Sequence, residues 1–388
     1  IGGEPMNILS RVASIASVVL ASLIGGTGAM AATFVYISNA EDGDIGTYRL
    51  LDSGALEVGP RVKAAAVVMP MAVSPDKRFL YAAARSKPYT VYVYSINSKT
   101  GALTQVSTSP LAESFPYISL DRTGRYLLGA AYGAHLISVN PVDADGKVGA
   151  TPLQVIPVGR NAHSIRVDGT NRHAYVMTLG TDELFMFDFD AATGKLASKT
   201  PSVVLMPPLT GPRHFVTSSD NRFLYMLSEL RATVTSFAID PATGLLKEAS
   251  SVAALSPASK LEPGAPRAPI TGPNAPPPRN ADNDIWAADI HLTPNGKFMV
   301  VSERTQSTLN VLSVDSATGK LTYLSSVPTE AQPRGFAIDP SGRFLVASGE
   351  KSETVSLYSI APQDGALKLL GKYPGGKDAN WVEFVAFD

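Results

Sequence analysis

The chain of 388 residues contains no cysteine, which excludes a disulfide framework, a thiolate metal site and a cysteine nucleophile. Charged residues make up only 17%, below the usual fraction of about a quarter. Lys+Arg number 33 and Asp+Glu 34, so the net charge of −1 leaves no electrostatic footprint for nucleic acid or an anionic membrane. A hydrophobic content of 45% excludes global disorder and supports a large, mostly sheet core.

Several signature motifs are also missing. The sequence has no Gly-x-Ser-x-Gly nucleophile elbow, no phosphate-binding loop and no dinucleotide fingerprint. The few histidines are far apart in sequence and have no obvious carboxylate partners, so we expect no catalytic metal. We therefore expect a protein that works without a cofactor.

The N-terminus has the features of an export signal. Arg11 is followed by an uncharged apolar stretch, Val12–Ile24, and then by the small-x-small sequence Ala29–Ala31. The stretch is shorter than the roughly 20 residues that a membrane span needs. We expect Met6 to be the natural start and residues 1–31 to be removed, which predicts a periplasmic protein with no stable membrane insertion afterwards.

The rest of the chain repeats about every 47 residues, and each unit carries two tight turns. The first turn reads like Ser74–Arg78 or Asp339–Arg343, and the second like Thr-Gly-x-Leu. Glycine and proline at fixed offsets between alternating apolar runs mark turns between strands. Such a period, with four strands per unit, predicts propeller blades. The second-turn glycines are Gly54, Gly101, Gly146, Gly194, Gly244, Gly319 and Gly365.

The two ends of the chain complete each other. Thr33–Ser38 corresponds to a second strand with no first strand before it, and Trp381–Phe387 corresponds to a first strand with no second strand after it. The sequence therefore predicts an all-β, seven-bladed propeller over residues 32–388. Its blades have four strands, and its N- and C-terminal strands share one closing blade that leaves no open edge.

One interval of the repeat is longer than the others. Residues 257–280 hold eight of the 29 prolines and show almost no apolar periodicity. We interpret them as an extended surface loop inserted into the propeller, and the alternative is a lid.

Topology predicts where polar residues gather. First strands start, and second strands end, on the same face of a propeller, around one mouth of the central channel, and loops on a rigid scaffold commonly carry sites. The polar residues at first-strand starts are His163, Arg213 with His214, Asp289 with His291, Arg334 and Asn380. Those at second-strand ends are Arg85, Asp182, Glu229, Glu303 with Arg304, and Glu350. His173 is set aside, because it belongs to a turn on the opposite face.

The densest group, Gly211–His214 with Ser228–Leu230, resembles the lactonase-type seven-bladed propellers, as do His163, Leu179–Asp182 and Val301–Arg304. That family includes propeller 6-phosphogluconolactonases, periplasmic gluconolactonases and fungal carboxy-cis,cis-muconate lactonizing enzymes. The resemblance covers about residues 33–388. It implies a catalytic set of His163, Arg213, Glu229 and Arg304.

Lactone hydrolysis needs an activated water, donors for the oxyanion and a proton for the ring oxygen. Glu229 could act as general base or orient the water, an arginine could stabilise the oxyanion, and His163 or His214 could supply the proton. No metal is required. We expect five other polar residues of this face to bind substrate: His214, Asp182, His291, Glu303 and Arg334.

Several alternatives remain open. Arg213 and Glu229 could form a plain ion pair, His214 could be a core residue, and Glu303 and Arg304 could be rim charges. The whole protein could instead be a non-catalytic binding propeller, a muconate-type cycloisomerase or a 6-phosphogluconolactonase. Export favours an unphosphorylated substrate, so the preferred hypothesis is hydrolysis of a sugar 1,5-lactone, glucono-1,5-lactone first.

Overall fold

The structure is a computed structural model that describes residues 1–3, 32–267 and 281–387. Its described residues contain 28 strands. In chain order they are β1 (Ala32–Asn39), β2 (Asp44–Leu51), β3 (Ala55–Lys63), β4 (Val68–Val73), β5 (Phe79–Ala84), β6 (Thr90–Ile96), β7 (Leu103–Pro110), β8 (Tyr117–Leu120), β9 (Tyr126–Ala131), β10 (Leu136–Pro141), β11 (Gln154–Pro157), β12 (Ala162–Val167), β13 (His173–Thr178) and β14 (Glu183–Asp190). They continue as β15 (Lys195–Leu205), β16 (Pro212–Thr217), β17 (Phe223–Ser228), β18 (Thr233–Ile239), β19 (Leu246–Ala253), β20 (Ala287–Leu292), β21 (Phe298–Glu303), β22 (Thr308–Val314), β23 (Leu321–Pro328), β24 (Phe336–Ile338), β25 (Phe344–Ala347), β26 (Thr354–Ile360), β27 (Leu367–Pro374) and β28 (Ala379–Phe387).

The strands form seven antiparallel four-stranded sheets, which confirms the predicted propeller. Blade 1 has the order β28-β1-β2-β3, and blades 2 to 7 are β4–β7, β8–β11, β12–β15, β16–β19, β20–β23 and β24–β27. The innermost strands contact one another in sequence around the ring, and β24 contacts β28. Ala31–Phe387 form one compact unit.

The shared closing blade is also confirmed. β1 pairs with β28 along its whole length, from Ala32 opposite Phe387 to Asn39 opposite Ala379. Val382 of β28 is buried in the core between blades 1 and 7. The ring therefore has no unpaired inner strand in blade 1.

The repeated glycine of the second turn explains how neighbouring blades lock together. Gly101 has a φ of 69°, and a Cβ there would lie 2.3 Å from the ring of Phe34 in the preceding blade. The other six glycines meet a ring in the same way: Gly146 on Phe79, Gly194 on Tyr126, Gly244 on His173, Gly319 on Phe223, Gly365 on Phe298 and Gly54 on Phe344. His173 thus takes the place of an inter-blade aromatic ring, which gives it a packing role on the face opposite the site.

Two of the predicted segments fall partly or wholly outside this description. Most of the expected leader, residues 4–31, lies outside the described residues, and so do residues 268–280 of the insert. Within the described part of the chain, no helix is long and apolar enough to cross a membrane.

Candidate active site

The residue that follows the second strand of each blade lies at one mouth of the channel. In blades 2, 3, 5 and 6 this position holds Arg85, Tyr132, Glu229 and Arg304, directly after β5, β9, β17 and β21. Because the blades repeat, one position per blade places an arginine, a tyrosine, a carboxylate and another arginine around a common axis.

The first strands contribute through β-bulges at their starts. The pairing register shifts between Ala162 and Ser164 in β12, and between Pro212 and Phe215 in β16. A bulge re-aims the side chains that it contains. The bulges of these two strands hold His163 and Arg213, the second residue of each strand.

Arg213, Glu229 and Arg304 form one buried cluster, and none of the three is more than 4% exposed. Arg213 Nε donates to Glu229 Oε2 at 2.6 Å, and Arg304 Nη2 donates to the same oxygen at 3.1 Å. Burial lowers the pKa of both guanidinium groups, and the charge of Glu229 opposes that shift. The carboxylate therefore bridges two cations that come from adjacent blades.

The arginines are held so that one amino group of each is left over. Arg213 Nη1 contacts the carbonyl of Ala288 and the ring of His214, while Arg304 donates from Nε to Trp286 O (3.1 Å) and from Nη2 to Ala287 O (3.2 Å). Arg213 Nη2 and Arg304 Nη1 have no protein partner among the described residues. Each can donate two N–H groups to a bound molecule.

His214 is tied to a carboxylate behind the cluster. Its Nδ1 lies 2.8 Å from Asp289 Oδ1, and Asp289 Oδ2 lies 3.2 Å from His291 Nε2. Burial, and then the charge of Arg213, lower the pKa of His214 to about 3. His214 is therefore neutral at pH 7.

His163 lies beside this group, with its ring 5.1 Å from that of His214 and 5.8 Å from that of Tyr132. Its Nδ1 is buried and has no hydrogen-bond partner within the described part of the chain. Burial, and then the charges of Arg213, Arg334 and Arg304, lower its pKa well below the usual value. Both histidines are therefore neutral at pH 7.

Comparison with known proteins identifies the chain. Residues 33–384 match the family described as lactonase, 7-bladed beta-propeller. The chain belongs to this lactonase family. A 6-phosphogluconolactonase of Serratia proteamaculans is 36% identical to the lactonase over 352 residues, which are 91% of this chain and 98% of the relative. A 6-phosphogluconolactonase of Pectobacterium carotovorum is 33% identical over 91% of this chain and 99% of the relative.

Among solved structures, the lactonase is similar to the periplasmic gluconolactonase of Pseudomonas aeruginosa. The TM-score is 0.78 and the identity 26%, over 92% of this chain and 99% of the other. Together these likenesses show an enzyme that hydrolyses lactones, so the hypothesis of a non-catalytic binding propeller is wrong.

Two residues that were predicted to bind substrate accept hydrogen bonds from the lactonase's own backbone instead. Asp182 accepts hydrogen bonds from the N–H groups of Leu209 and Gly211, in the loop that leads to β16. Glu303 is completely buried and accepts from the N–H groups of Trp286 and Gln306. Both carboxylates thus support segments next to Arg213 and Arg304, and neither joins the cluster.

Of the three other predicted contacts, His214 contacts Asp289 as described above, and Arg334 and His291 take different places in the lactonase. Arg334 lies at the mouth, where its Nη1 is 3.3 Å from Glu350 Oε1. Its charge contributes to the lowered pKa of both Arg213 and His163. His291 turns into the channel, where it lines a cavity of about 740 Å³ together with Trp381 and Glu383. Sequence reasoning placed both residues at the mouth, whereas the structure keeps Arg334 there and places His291 inside the channel.

The insert reaches the mouth of the lactonase, which the sequence pattern did not predict. Gly264 N donates to Leu230 O at 2.8 Å, and Tyr132 Oη donates to Arg267 O at 2.8 Å. The described part of the insert therefore runs from blade 5 to blade 3. The guanidinium groups of Arg267 and Arg304 each lie 3.7 Å from the centre of the Trp286 ring.

Sequence reasoning gave no role to Tyr132 or Trp286, and it named Asp289 without assigning one. Tyr132 could have been found by its repeat position, because it follows β9 as Glu229 follows β17. Nothing in the sequence marks Trp286 as the platform for an arginine. Among the residues that the structure describes, no group of three or more His, Asp or Glu side chains is arranged to hold a metal ion.

Proposed function

We propose that this lactonase hydrolyses the 1,5-lactone of an aldonic acid, with glucono-1,5-lactone as the first candidate and the periplasm as its location. The observation that carries the proposal is the carboxylate of Glu229 held between Arg213 and Arg304, with one free amino group on each arginine. This arrangement provides both a carboxylate for the water and cationic donors for an oxyanion.

The proposed reaction starts with a water next to Glu229. Glu229 Oε1 has no partner among the described residues, so it can accept a hydrogen bond from that water and orient it or take its proton. The water oxygen forms a bond to the lactone carbonyl carbon. The negative charge then moves to the carbonyl oxygen, where Arg213 Nη2 and Arg304 Nη1 can donate hydrogen bonds.

The intermediate collapses when the bond between the carbonyl carbon and the ring oxygen breaks. The ring oxygen must gain a proton as it leaves. Neutral His163 has one N–H group and one lone pair, so it can give a proton to the ring oxygen and accept the proton taken from water. His214 is less suited to this task because both of its ring nitrogens have partners.

Two observations support glucono-1,5-lactone as the substrate. The first is the likeness to the periplasmic gluconolactonase of Pseudomonas aeruginosa. The second is the predicted leader, because an exported enzyme would meet unphosphorylated sugar lactones. Periplasmic location remains part of the proposal.

A second candidate is 6-phosphoglucono-1,5-lactone, the substrate named for the relatives at 32 to 36% identity. Arg85 favours it. The Arg85 side chain contacts Ser114 Oγ at 3.0 Å and Met69 Sδ at 3.5 Å, but it has no carboxylate partner in the described part of the chain. Burial and the charge of Arg334 lower its pKa to about 10, so it is a cation that an anionic substituent would stabilise.

The two lactones separate the candidates. The chain is assayed on both at fixed pH by acid release, after subtraction of spontaneous ring opening. Faster turnover of glucono-1,5-lactone supports the first candidate. A preference of roughly 100-fold for the phosphorylated lactone, lost in Arg85→Gln, supports the second, since charge-assisted contacts are strong. No hydrolysis of either lactone would overturn the proposal.

A further inference from the structure

Behind the catalytic cluster, three side chains form a buried line that ends at Arg213. Asp289 Oδ1 lies 2.8 Å from His214 Nδ1, and His214 Nε2 lies 3.1 Å from Arg213 Nη1. Arg213 and His214 are at most 4% exposed, and 14% of the Asp289 side chain is exposed. They come from the innermost strands of blades 5 and 6, β16 and β20.

The direction of each hydrogen bond follows from the donor inventory. A guanidinium group can only donate, so His214 Nε2 must accept from Arg213 Nη1. An imidazole that accepts at Nε2 carries its proton on Nδ1, and that proton points to Asp289. His214 is thus held as one neutral tautomer, and its lone pair is aimed at Arg213.

Asp289 is itself fixed from three sides. Its Oδ1 also accepts from the N–H group of Ile290 at 3.0 Å, and its Oδ2 contacts His291 Nε2 at 3.2 Å. Burial raises the pKa of Asp289, but His291 and the hydrogen bond from His214 outweigh burial and lower it below the usual range. The carboxylate therefore stays charged, and it sits in the bulge of β20 that also presents Ala288 O to Arg213.

We infer that His214 and Asp289 are positioning residues that hold the Arg213 guanidinium so that its Nη2 group faces the substrate. This inference rests on the proposed role of Arg213 as an oxyanion donor. With Nε on Glu229 and Nη1 on His214 and Ala288, the planar group has one orientation. Without His214 Nε2, Nη1 keeps only Ala288 O as a partner, so the orientation of the group is held less firmly.

The chain offers a test that separates this role from simple packing. In His214→Gln the amide oxygen occupies the place of Nε2 and can still accept from Arg213, but the contact with Asp289 is lost. In His214→Asn the amide nitrogen occupies the place of Nδ1 and can still donate to Asp289, but the acceptor for Arg213 is lost. Each variant therefore keeps one of the two hydrogen bonds that His214 makes.

His173 provides the matched control. It is a buried histidine whose Nδ1 lies 3.2 Å from Asp188 Oδ1, on the opposite face of the propeller. His173→Gln and His173→Asn remove the same chemical groups from a His–Asp pair that packs under Gly244. We expect both to lower stability and to leave kcat at the parent value.

For His214, we expect His214→Asn to lower kcat by roughly 10- to 100-fold and His214→Gln to stay within about fivefold of the parent, the range seen when groups behind a catalytic residue are removed. KM should change little, because the oxyanion forms only in the transition state. Equal losses in the two variants, or a more active His214→Asn, would overturn the inference.

A spectroscopic measurement keeps the inference testable without turnover. Nitrogen NMR of the parent reports the tautomer of each of the five histidines. The His214 signals are assigned by their loss in His214→Gln, and they should show a protonated Nδ1 and an unprotonated Nε2. If the parent hydrolyses no lactone, the proposed function fails, and the tautomer alone decides the inference. A parent His214 protonated on Nε2 would refute it.

Discussion

Arg213 and Glu229 meet at 2.6 Å between Nε and Oε2 in the interior of the channel mouth, where both side chains are nearly inaccessible to solvent. Arg213 lies in β16, and Glu229 directly follows the adjacent strand of blade 5, β17. A buried carboxylate with two guanidinium partners is costly to desolvate, and a hydrophobic pair would often be as stable. The arrangement therefore suggests a reason other than stability for its presence.

Removing the charge of Glu229 should abolish most of the activity. Glu229→Gln keeps the shape and can still accept from Arg213, but the amide cannot take a proton from water. We expect kcat to fall by roughly 100-fold or more while the native circular dichroism spectrum persists. The control is Glu330→Gln, a buried carboxylate of another blade that pairs with Lys372 and hydrogen-bonds Ser356. Parent-like turnover in Glu229→Gln would show that Glu229 only forms an ion pair and does not act on the water.

Arg213→Lys keeps a positive charge but loses the planar fork. The lysine ammonium group therefore cannot donate to Glu229, to His214 and to the substrate in the geometry that the guanidinium group allows. We expect kcat/KM to fall roughly 100- to 1000-fold, as for a lost oxyanion donor. Arg222→Lys, an exposed arginine paired with Asp220, is the matched control and should keep parent activity. Because Arg213 and Glu229 touch, the Arg213→Lys/Glu229→Gln double variant should lose less than the product of the two single losses. Independent, multiplying losses would argue against a joint action.

The closing blade should limit the stability of the whole ring. Deletion of residues 381–388 removes most of β28, which leaves β1 unpaired along its inner edge, and should abolish cooperative thermal unfolding. A milder change is Val382→Ala, which opens a cavity in a buried strand and should cost about 1 to 3 kcal/mol of unfolding free energy. Leu370→Ala, on an exposed position of β27, should change stability by less than about 0.5 kcal/mol. A truncated protein that melts like the parent would contradict this scheme of closure.

Glu383 should make stability depend on pH near neutrality. It lines the channel cavity and accepts from Trp381 Nε1 at 2.8 Å, and burial raises its pKa from 4.5 to about 7. The folded chain therefore binds a proton that the unfolded chain has lost between these values, so this group's contribution to stability falls as pH rises from 4.5 to 7. Glu383→Gln keeps the acceptor for Trp381 and should gain roughly 1 to 3 kcal/mol over the parent between pH 5 and pH 8.

Denaturant unfolding of the parent and Glu383→Gln at several pH values measures this difference. Glu57→Gln, on an exposed position of β3, is the control and should show no such trend. A constant difference between Glu383→Gln and the parent from pH 5 to pH 8 would contradict the raised pKa.

Chelation should leave the lactonase active, because two arginines can stabilise the oxyanion in place of a metal ion. The measurement is turnover of the preferred lactone before and after extended treatment with EDTA. Loss of turnover that a divalent ion restores would show a metal in the reaction.

The architecture can be read from the sequence alone, because turn chemistry is local and repeats. Each glycine of the second turn and each Pro or Asp of the first is dictated by the backbone at that position, so seven copies predict seven blades. The unmatched strands at the two ends also showed how the ring closes. Repeat topology also places Arg213, Glu229 and Arg304 at one mouth.

The pairing and the protonation states of those residues depend on the assembled ring. The β-bulge at Arg213 and His214 lies within blade 5, and the stacking of Arg304 on Trp286 lies within blade 6. The hydrogen bond from His214 to Asp289 joins the two blades. Such contacts depend on the exact approach of two strands, which no local pattern encodes. Burial has the same origin: only the assembled ring desolvates His163 and His214, and that desolvation keeps both histidines neutral at the pH where free imidazole would begin to gain a proton.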